Sequence, residues 1–131
     1  MYLLDTDLLI DLSRGRSKIQ ERVAGIGMSN CSVSEVSLAE LYVGFYKNQS
    51  VNRYQFLLSF LEESLLVVPI SSSIKTYARI RSQLELQGNR LDNMDLFIAA
   101  TALANDYTLV THNARHFSRI PGLKLEDWVE E

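Results

Sequence analysis

Apolar positions along this chain fall into two rhythms. Short runs at Tyr2–Leu4, Cys31–Val33, Leu65–Val68, Thr108–Val110 and Leu123–Leu125 read as strands, because they are compact, apolar and bounded by polar or turn-forming residues. Between them, apolar residues recur at helical spacing over Asp7–Ser13, Ile19–Ala24, Ser34–Tyr46, Asn52–Glu63, Ser73–Gln87 and Met94–Ala104. Gly88 is placed to stop the fifth of these helices, and both prolines, Pro69 and Pro121, fall at element ends. Strands alternating with helices are the pattern of βαβ units, so the expected fold is α/β, with a central, mostly parallel sheet of about five strands and helices on both faces.

Composition narrows this picture. A chain of 131 residues with 47% hydrophobic content suits one domain, 1–131, able to bury about two-thirds of its unfolded surface. No apolar stretch approaches the ~20 residues of a membrane helix, and Met1 leads into a strand rather than a basic leader, so a cytoplasmic protein with no membrane partner is expected. The single cysteine, Cys31, rules out an internal disulfide or a cysteine-built zinc cage and reads as a small buried hydrophobe. A net charge of −3 excludes a grossly basic protein, yet basic residues gather locally at Arg14, Arg16, Lys18 and Arg22, at Lys75, Arg79, Arg81 and Arg90, and at Arg115 and Arg119. Local charge of this kind either solvates helix faces or tracks a phosphate backbone.

Three acidic residues stand against apolar sequence: Asp5 after Tyr2-Leu3-Leu4, Glu40 within Val36-Ser37-Leu38-Ala39-Glu40-Leu41, and Asp95 before Leu96-Phe97-Ile98-Ala99-Ala100. Taking an ionised carboxylate out of water is costly unless it is paired, hydrogen-bonded or metal-bound, so the three are expected to converge on a divalent-cation site. Asp5 closes the first strand, Asp95 opens a helix, and Asn113 follows the strand at Thr108–Val110, all beyond the carboxyl ends of strands where open parallel sheets bind ligands. Glu40 shares a helix face with Val36, Val43 and Gly44; its competing role is a salt bridge to an arginine. Asp92 is the expected N-cap of the helix carrying Asp95, while Thr6 or Asp7 is expected to cap the helix after Asp5. His112 and His116 fall together after a strand and read as surface or loop-packing residues.

The motifs Leu3-Leu4-Asp5-Thr6-Asp7, Ser37-Leu38-Ala39-Glu40-Leu41-Tyr42-Val43-Gly44, Asp95-Leu96-Phe97-Ile98-Ala99-Ala100 and Leu109-Val110-Thr111-His112-Asn113 together resemble those of the PIN-domain nucleases, most closely the VapC-type toxins. The likeness runs from Tyr2 to Trp128. It implies a Mg²⁺- or Mn²⁺-dependent endoribonuclease paired with a cognate antitoxin, as a homodimer or a toxin–antitoxin hetero-oligomer. It further implies an acidic triad of Asp5, Glu40 and Asp95 that is both catalytic and metal-binding, supported by Thr6, Asp7, Thr111 and Asn113. Asn113 stands where many relatives carry an aspartate, and Asp7 where an asparagine or serine is common. Hard oxygen donors of this kind suit Mg²⁺ or Mn²⁺ and phosphodiester chemistry on their own terms. Two other readings are a silent PIN-like scaffold that binds RNA or protein, and an aspartate-nucleophile phosphatase, which Asp5-Thr6-Asp7 also resembles although Leu9 departs from that pattern. Aromatic and aliphatic residues on the middle helices, Tyr42, Phe45, Tyr46, Tyr54, Phe56, Leu57, Phe60 and Leu61, are numerous for a small domain; most are expected in the core, and the resemblance implies that some form a groove for an amphipathic antitoxin segment or a two-fold dimer contact.

Overall fold

The computed structural model describes residues 1–15, 17–47 and 51–128. Arg16, one of the early basic residues, lies outside the described residues. Five strands, β1 (Tyr2–Leu4), β2 (Cys31–Ser34), β3 (Leu66–Val68), β4 (Thr108–Val110) and β5 (Lys124–Glu126), form one sheet in the order β3-β2-β1-β4-β5. Every pairing is parallel, so the sheet is parallel throughout rather than mostly. Among the described residues seven α-helices accompany it: α1 (Thr6–Ser13), α2 (Ser17–Ile26), α3 (Glu35–Lys47), α4 (Val51–Ser64), α5 (Ile74–Leu86), α6 (Asn93–Ala104) and the four-residue α7 (Ala114–Phe117).

Alternation along the central strands explains why the sheet is covered twice. Leu3 and Leu109 turn to one face and pack with Ile80, Leu84, Leu96, Ile98 and Phe117 of α5, α6 and α7. Leu4, Cys31, Val33 and Val110 turn to the other and pack with α1, α2 and α4 through Leu8, Leu9, Ile19 and Leu61. Strands buried on both faces read as continuous apolar runs, which is how β1 and β4 announce themselves in the sequence. Helix α3 serves both sides, sending Val36 to the first cluster and Leu41 to the second. Cys31 is fully buried and burial pushes its thiol up, which makes it a packing residue.

Helix ends are fixed by local chemistry. Gly88 takes a φ of +73°, and the Gly88 and Asn89 amides donate back to the carbonyls of Glu85 and Leu84, closing α5 as expected. Asp92 caps α6, accepting from the Met94 and Asp95 amides. The cap of α1 differs from expectation: Asp5 itself holds that position, and Asp7 lies in the first turn. The extended backbone of Asp5 lets its carboxylate reach the Thr6 amide, which leaves neither Thr6 nor Asp7 a capping role. Among the described residues no helix is long and apolar enough to cross a membrane.

The strand order places β1 at the centre, with the chain building outwards through β2 and β3 before returning to lay β4 on the opposite side. The carboxyl ends of β1 and β4 therefore flank a topological switch point, the position where open parallel sheets form ligand crevices. Asp5 leaves one of these ends and Thr111 the other, tied by the Asp5 amide donating to the Val110 carbonyl at 2.9 Å.

Candidate active site

The crevice is built around Asp5, which is only 5% exposed. Its Oδ1 accepts from the Thr6 amide at 2.8 Å and its Oδ2 from the Thr111 hydroxyl at 2.7 Å. Thr111 Oγ1 in turn accepts from the Asn113 amide at 3.0 Å, so the turn after β4 is locked onto the carboxylate that ends β1. From the opposite side, Thr6 Oγ1 lies 3.1 Å from Glu40 Oε1 and 3.0 Å from Ser37 Oγ. One hydroxyl proton serves two acceptors there, and the carboxylate is the stronger. Asp95 stands in the first turn of α6, with its Oδ2 3.5 Å from His116 Nε2.

Burial dominates the electrostatics, and like charge adds to it. Burial pushes the Asp5 carboxyl above the usual range; the Thr111 and Thr6 hydrogen bonds oppose the rise, while Asp7 and Asp95 add to it. Glu40 is raised by burial first, then by Asp5, Asp95 and Asp92, against the Thr6 hydrogen bond. Asp95 is raised by burial, then by Asp92 and Asp7, with His116 pulling the other way. Asp5 feels Asp95, Glu40 feels both Asp5 and Asp95, and Asp95 feels Asp92 and Asp7; no arginine or lysine pairs with any of the three among the described residues. The alternative salt bridge from Glu40 to an arginine is absent among the described residues.

The residues singled out in the sequence thus divide. Asp5, Thr6, Glu40 and Thr111 are joined by direct hydrogen bonds, and Asp95 enters through the shared field. Asp7 is exposed and acts on Asp5 and Asp95 by charge alone. Asn113 reaches the site through its backbone amide, its exposed side chain making no cap bond to α7. Two participants were missed. Ser37, fully buried, sits one turn before Glu40, a spacing that places it on the same helix face. His116 is brought to Asp95 by α7, too short to leave a periodic trace in sequence. His112 packs its loop against α1 and the segment after β5: its Nε2 meets Asp11 Oδ2, and its Nδ1 lies 3.7 Å from Asp127 Oδ1.

Among the described residues no three His, Cys, Asp or Glu side chains close into a ready-made ion cage. The donor set suits a metal that needs none: Mg²⁺ keeps several of its waters and is typically held by one or two carboxylates. Raised carboxyls with no arginine or lysine against them among the described residues are the second half of that fit, since a dication would supply positive charge there.

The family model of the PIN domain matches residues 2–123. The chain belongs to the PIN-domain family. This PIN domain is 31% identical to Ribonuclease VapC2 of Rickettsia felis over 98% of each chain, and 33% identical to Ribonuclease VapC1 of Haemophilus influenzae over 99% of each. Its fold also matches a chain in the crystal structure of VapBC2 from Rickettsia felis bound to a DNA fragment from their promoter. There the TM-score is 0.88 and the identity 28%, covering 97% of this chain and 98% of that one. Membership of this family sets aside the phosphatase reading of Asp5-Thr6-Asp7.

Proposed function

We propose that this PIN domain is a Mg²⁺- or Mn²⁺-dependent endoribonuclease of the cytoplasm, the toxin of a VapBC-type toxin–antitoxin pair. The observation that supports the reading is a set of raised carboxyls, Asp5, Glu40 and Asp95, around the switch-point crevice with no arginine or lysine paired to them among the described residues, in a chain whose relatives are named ribonucleases. Asp5 and Asp95 would hold the metal. When bound, the ion acidifies a water and offsets the charge that builds on the scissile phosphate.

The protein's own groups supply the rest. Thr6 and Thr111 hold the carboxylates of Glu40 and Asp5 in fixed rotamers, so the site does not reorganise as the substrate arrives. Glu40, half-buried and raised by that burial above the usual carboxylate range, orients the attacking water and takes up its proton as the new phosphorus–oxygen bond forms. Asp7 and Asp92 add negative charge at the rim, which favours capture of a dication. The bond to the leaving ribose oxygen breaks, and that oxygen receives a proton from solvent.

An antitoxin segment has a matching surface. A groove of about 330 Å³ between α1, α2 and α4 is lined by Leu12, Val23, Ala24, Met28, Phe56 and Phe60, and Phe56 is 74% exposed. Its apolar lining suits one face of an amphipathic helix. Tyr46 and Val43 leave a second apolar patch on α3 near Glu40, the contact proposed for a homodimer.

The test is cleavage of total RNA by purified, antitoxin-free protein, with cut ends mapped by sequencing. Discrete cuts with Mg²⁺ or Mn²⁺ that vanish in EDTA are expected. Absence of cuts from folded, metal-loaded protein would favour a silent binding module instead. A finer variant probes the threonine relay: Thr111→Val keeps the shape but removes the hydroxyl from Asp5, and cleavage should fall by about 10–100-fold, the usual cost of losing a group that orients a metal ligand. Thr111→Ser should restore most of the rate. Equal rates for all three proteins would show that the relay is dispensable.

A further inference from the structure

A second cavity opens beside the crevice, where the end of α5 and the 87–92 loop meet the start of α6. Its volume is about 280 Å³, and its floor is apolar, formed by Leu84, Leu91 and Leu96. Its rim is polar: Arg81, Glu85, Arg90, Asp92 and Asn93. Leu84, Leu91 and Leu96 are core residues at 2%, 8% and 2% exposure, so the cavity reaches down to the hydrophobic interior.

The rim is organised. Glu85 Oε1 lies 2.9 Å from Arg81 Nε and 3.6 Å from Arg90 Nη2, a single carboxylate between two guanidinium groups. The Arg81 Nη1 also donates to the Tyr77 hydroxyl at 3.0 Å. The loop carrying Arg90 is fixed at one end by the left-handed Gly88, and from outside by Arg119 Nη1 donating to the Arg90 carbonyl at 3.2 Å. The Arg90 side chain nonetheless remains 78% exposed, its planar face open to solvent. The Asn93 side-chain amide, with two donors and an acceptor, makes no hydrogen bond among the described residues.

The cavity is joined to the catalytic carboxylates through Asp92. This residue lines the cavity, and its Oδ2 accepts from the Asp95 amide at 3.4 Å. Its charge is felt by Asp95 and by Glu40. The α6 residues that line the cavity, Asn93 and Leu96, flank Asp95 in the same first turn, within about 3 Å of rise along the helix. A single RNA strand lying across Asp95 therefore passes the cavity mouth with the nucleotide next to the cut.

We infer that this cavity is a nucleobase subsite, which takes the unstacked base next to the scissile phosphate of a single-stranded RNA and so sets where the enzyme cuts. Single-stranded RNA is read by splaying bases out, stacking them on aromatic or guanidinium planes and hydrogen-bonding their edges. The leucine floor takes the face of the base, Arg90 stacks over it, and the free amide of Asn93 reads its edge. Glu85, held by two arginines, completes a rim with both donors and acceptors. The inference rests on the ribonuclease reading for its substrate, and the experiment separates the two.

Arg90→Ala and Asn93→Ala, both at exposed positions, are compared with the unchanged protein in Mn²⁺ on a pool of single-stranded RNAs randomised around one cut site. The unchanged protein should show a base preference at one position beside the cut. Each substitution should lower that preference by about tenfold, the size of one well-made base contact, with positions across the cut unaffected. In parallel, the four nucleoside 5′-monophosphates are titrated into metal-free protein and followed by amide NMR, with inorganic phosphate as control. Shifts at Arg90, Leu91 and Asn93 that differ among the four bases and are absent with phosphate support the subsite, even if no RNA is cut and the ribonuclease reading falls. Cleavage with an unchanged preference in both variants, or shifts that phosphate alone reproduces, overturns the subsite and leaves the ribonuclease standing.

Discussion

Asp5→Asn should reduce RNA cleavage by on the order of 10³-fold while leaving the fold intact. A bound dication contributes several kcal/mol of charge stabilisation in the transition state, and about 4 kcal/mol corresponds to ~10³-fold in rate at tenfold per 1.4 kcal/mol. Asparagine offers a neutral oxygen where the ion needs a charged one, so most of that term is lost. The fold survives because asparagine is as good an N-cap as aspartate: its side-chain oxygen still accepts from the Thr6 amide. Its amide nitrogen can donate to the Thr111 hydroxyl, reversing the bond that Oδ2 accepts now. Removing one charge from a crowded trio also relieves repulsion, so in EDTA at neutral pH the variant should unfold at the same temperature as the parent or above it. Cleavage kinetics on one mapped RNA and thermal unfolding by circular dichroism check both halves. A variant that cuts within tenfold of the parent would remove Asp5 from the chemistry, and one that is badly destabilised would make Asp5 chiefly a structural cap.

Sequence carried the fold as far as burial dictates residue type. Tyr2–Leu4 and Thr108–Val110 were legible because these strands are covered on both faces, leaving no polar alternation to blur them. β5 was misplaced by one residue, since an edge strand of Lys124, Leu125 and Glu126 is partly open to water and only Leu125 is apolar. Leu65 was read into β3, but its amide still donates to the Leu61 carbonyl as the end of α4. Neither α7 nor the short 3-10 turns at Met28–Asn30 and Ile70–Ser73 spans enough residues to establish a period.

The acidic trio was legible for a different reason: a carboxylate beside leucines is costly unless it has a task, and three such residues narrow the tasks. Hydrogen-bond partners were less accessible, because pattern reports which face a residue occupies and not what meets it there. Thr111 and Asp5 touch across the whole chain, and their contact follows from β1 pairing with β4, a fact of topology. His116 illustrates the limit from the other side. Its contact with Asp95 depends on a single turn of helix that only the folded loop reveals.

Stability should respond to pH and metal together, with opposite signs. Asp5, Glu40 and Asp95 are all raised in the folded protein, so each favours folding most below the ordinary carboxylate range and loses that contribution as pH climbs through the raised values. Carboxylates shifted the other way, Glu85 and Asp106, are fully exposed, and their small contribution changes only below the ordinary range. In EDTA the melting temperature should therefore be higher near about pH 5 than near about pH 7.5, the reverse of a protein held by paired carboxylates. Mn²⁺ needs the ionised forms, so its effect should run against this slope. At a hundredfold excess over its dissociation constant it should add about 2.7 kcal/mol near neutrality, roughly 10 °C in a domain of this size, and much less in acid. Asp5→Asn should flatten both responses, because it removes the most buried member of the trio and one of the two residues proposed to hold the ion. Thermal melts across pH, with EDTA and with Mn²⁺, decide it. A melting temperature in EDTA that rises towards neutrality would mean the three carboxylates are already balanced within the folded chain. An absence of any Mn²⁺ gain would mean the crevice, however acidic, binds no metal.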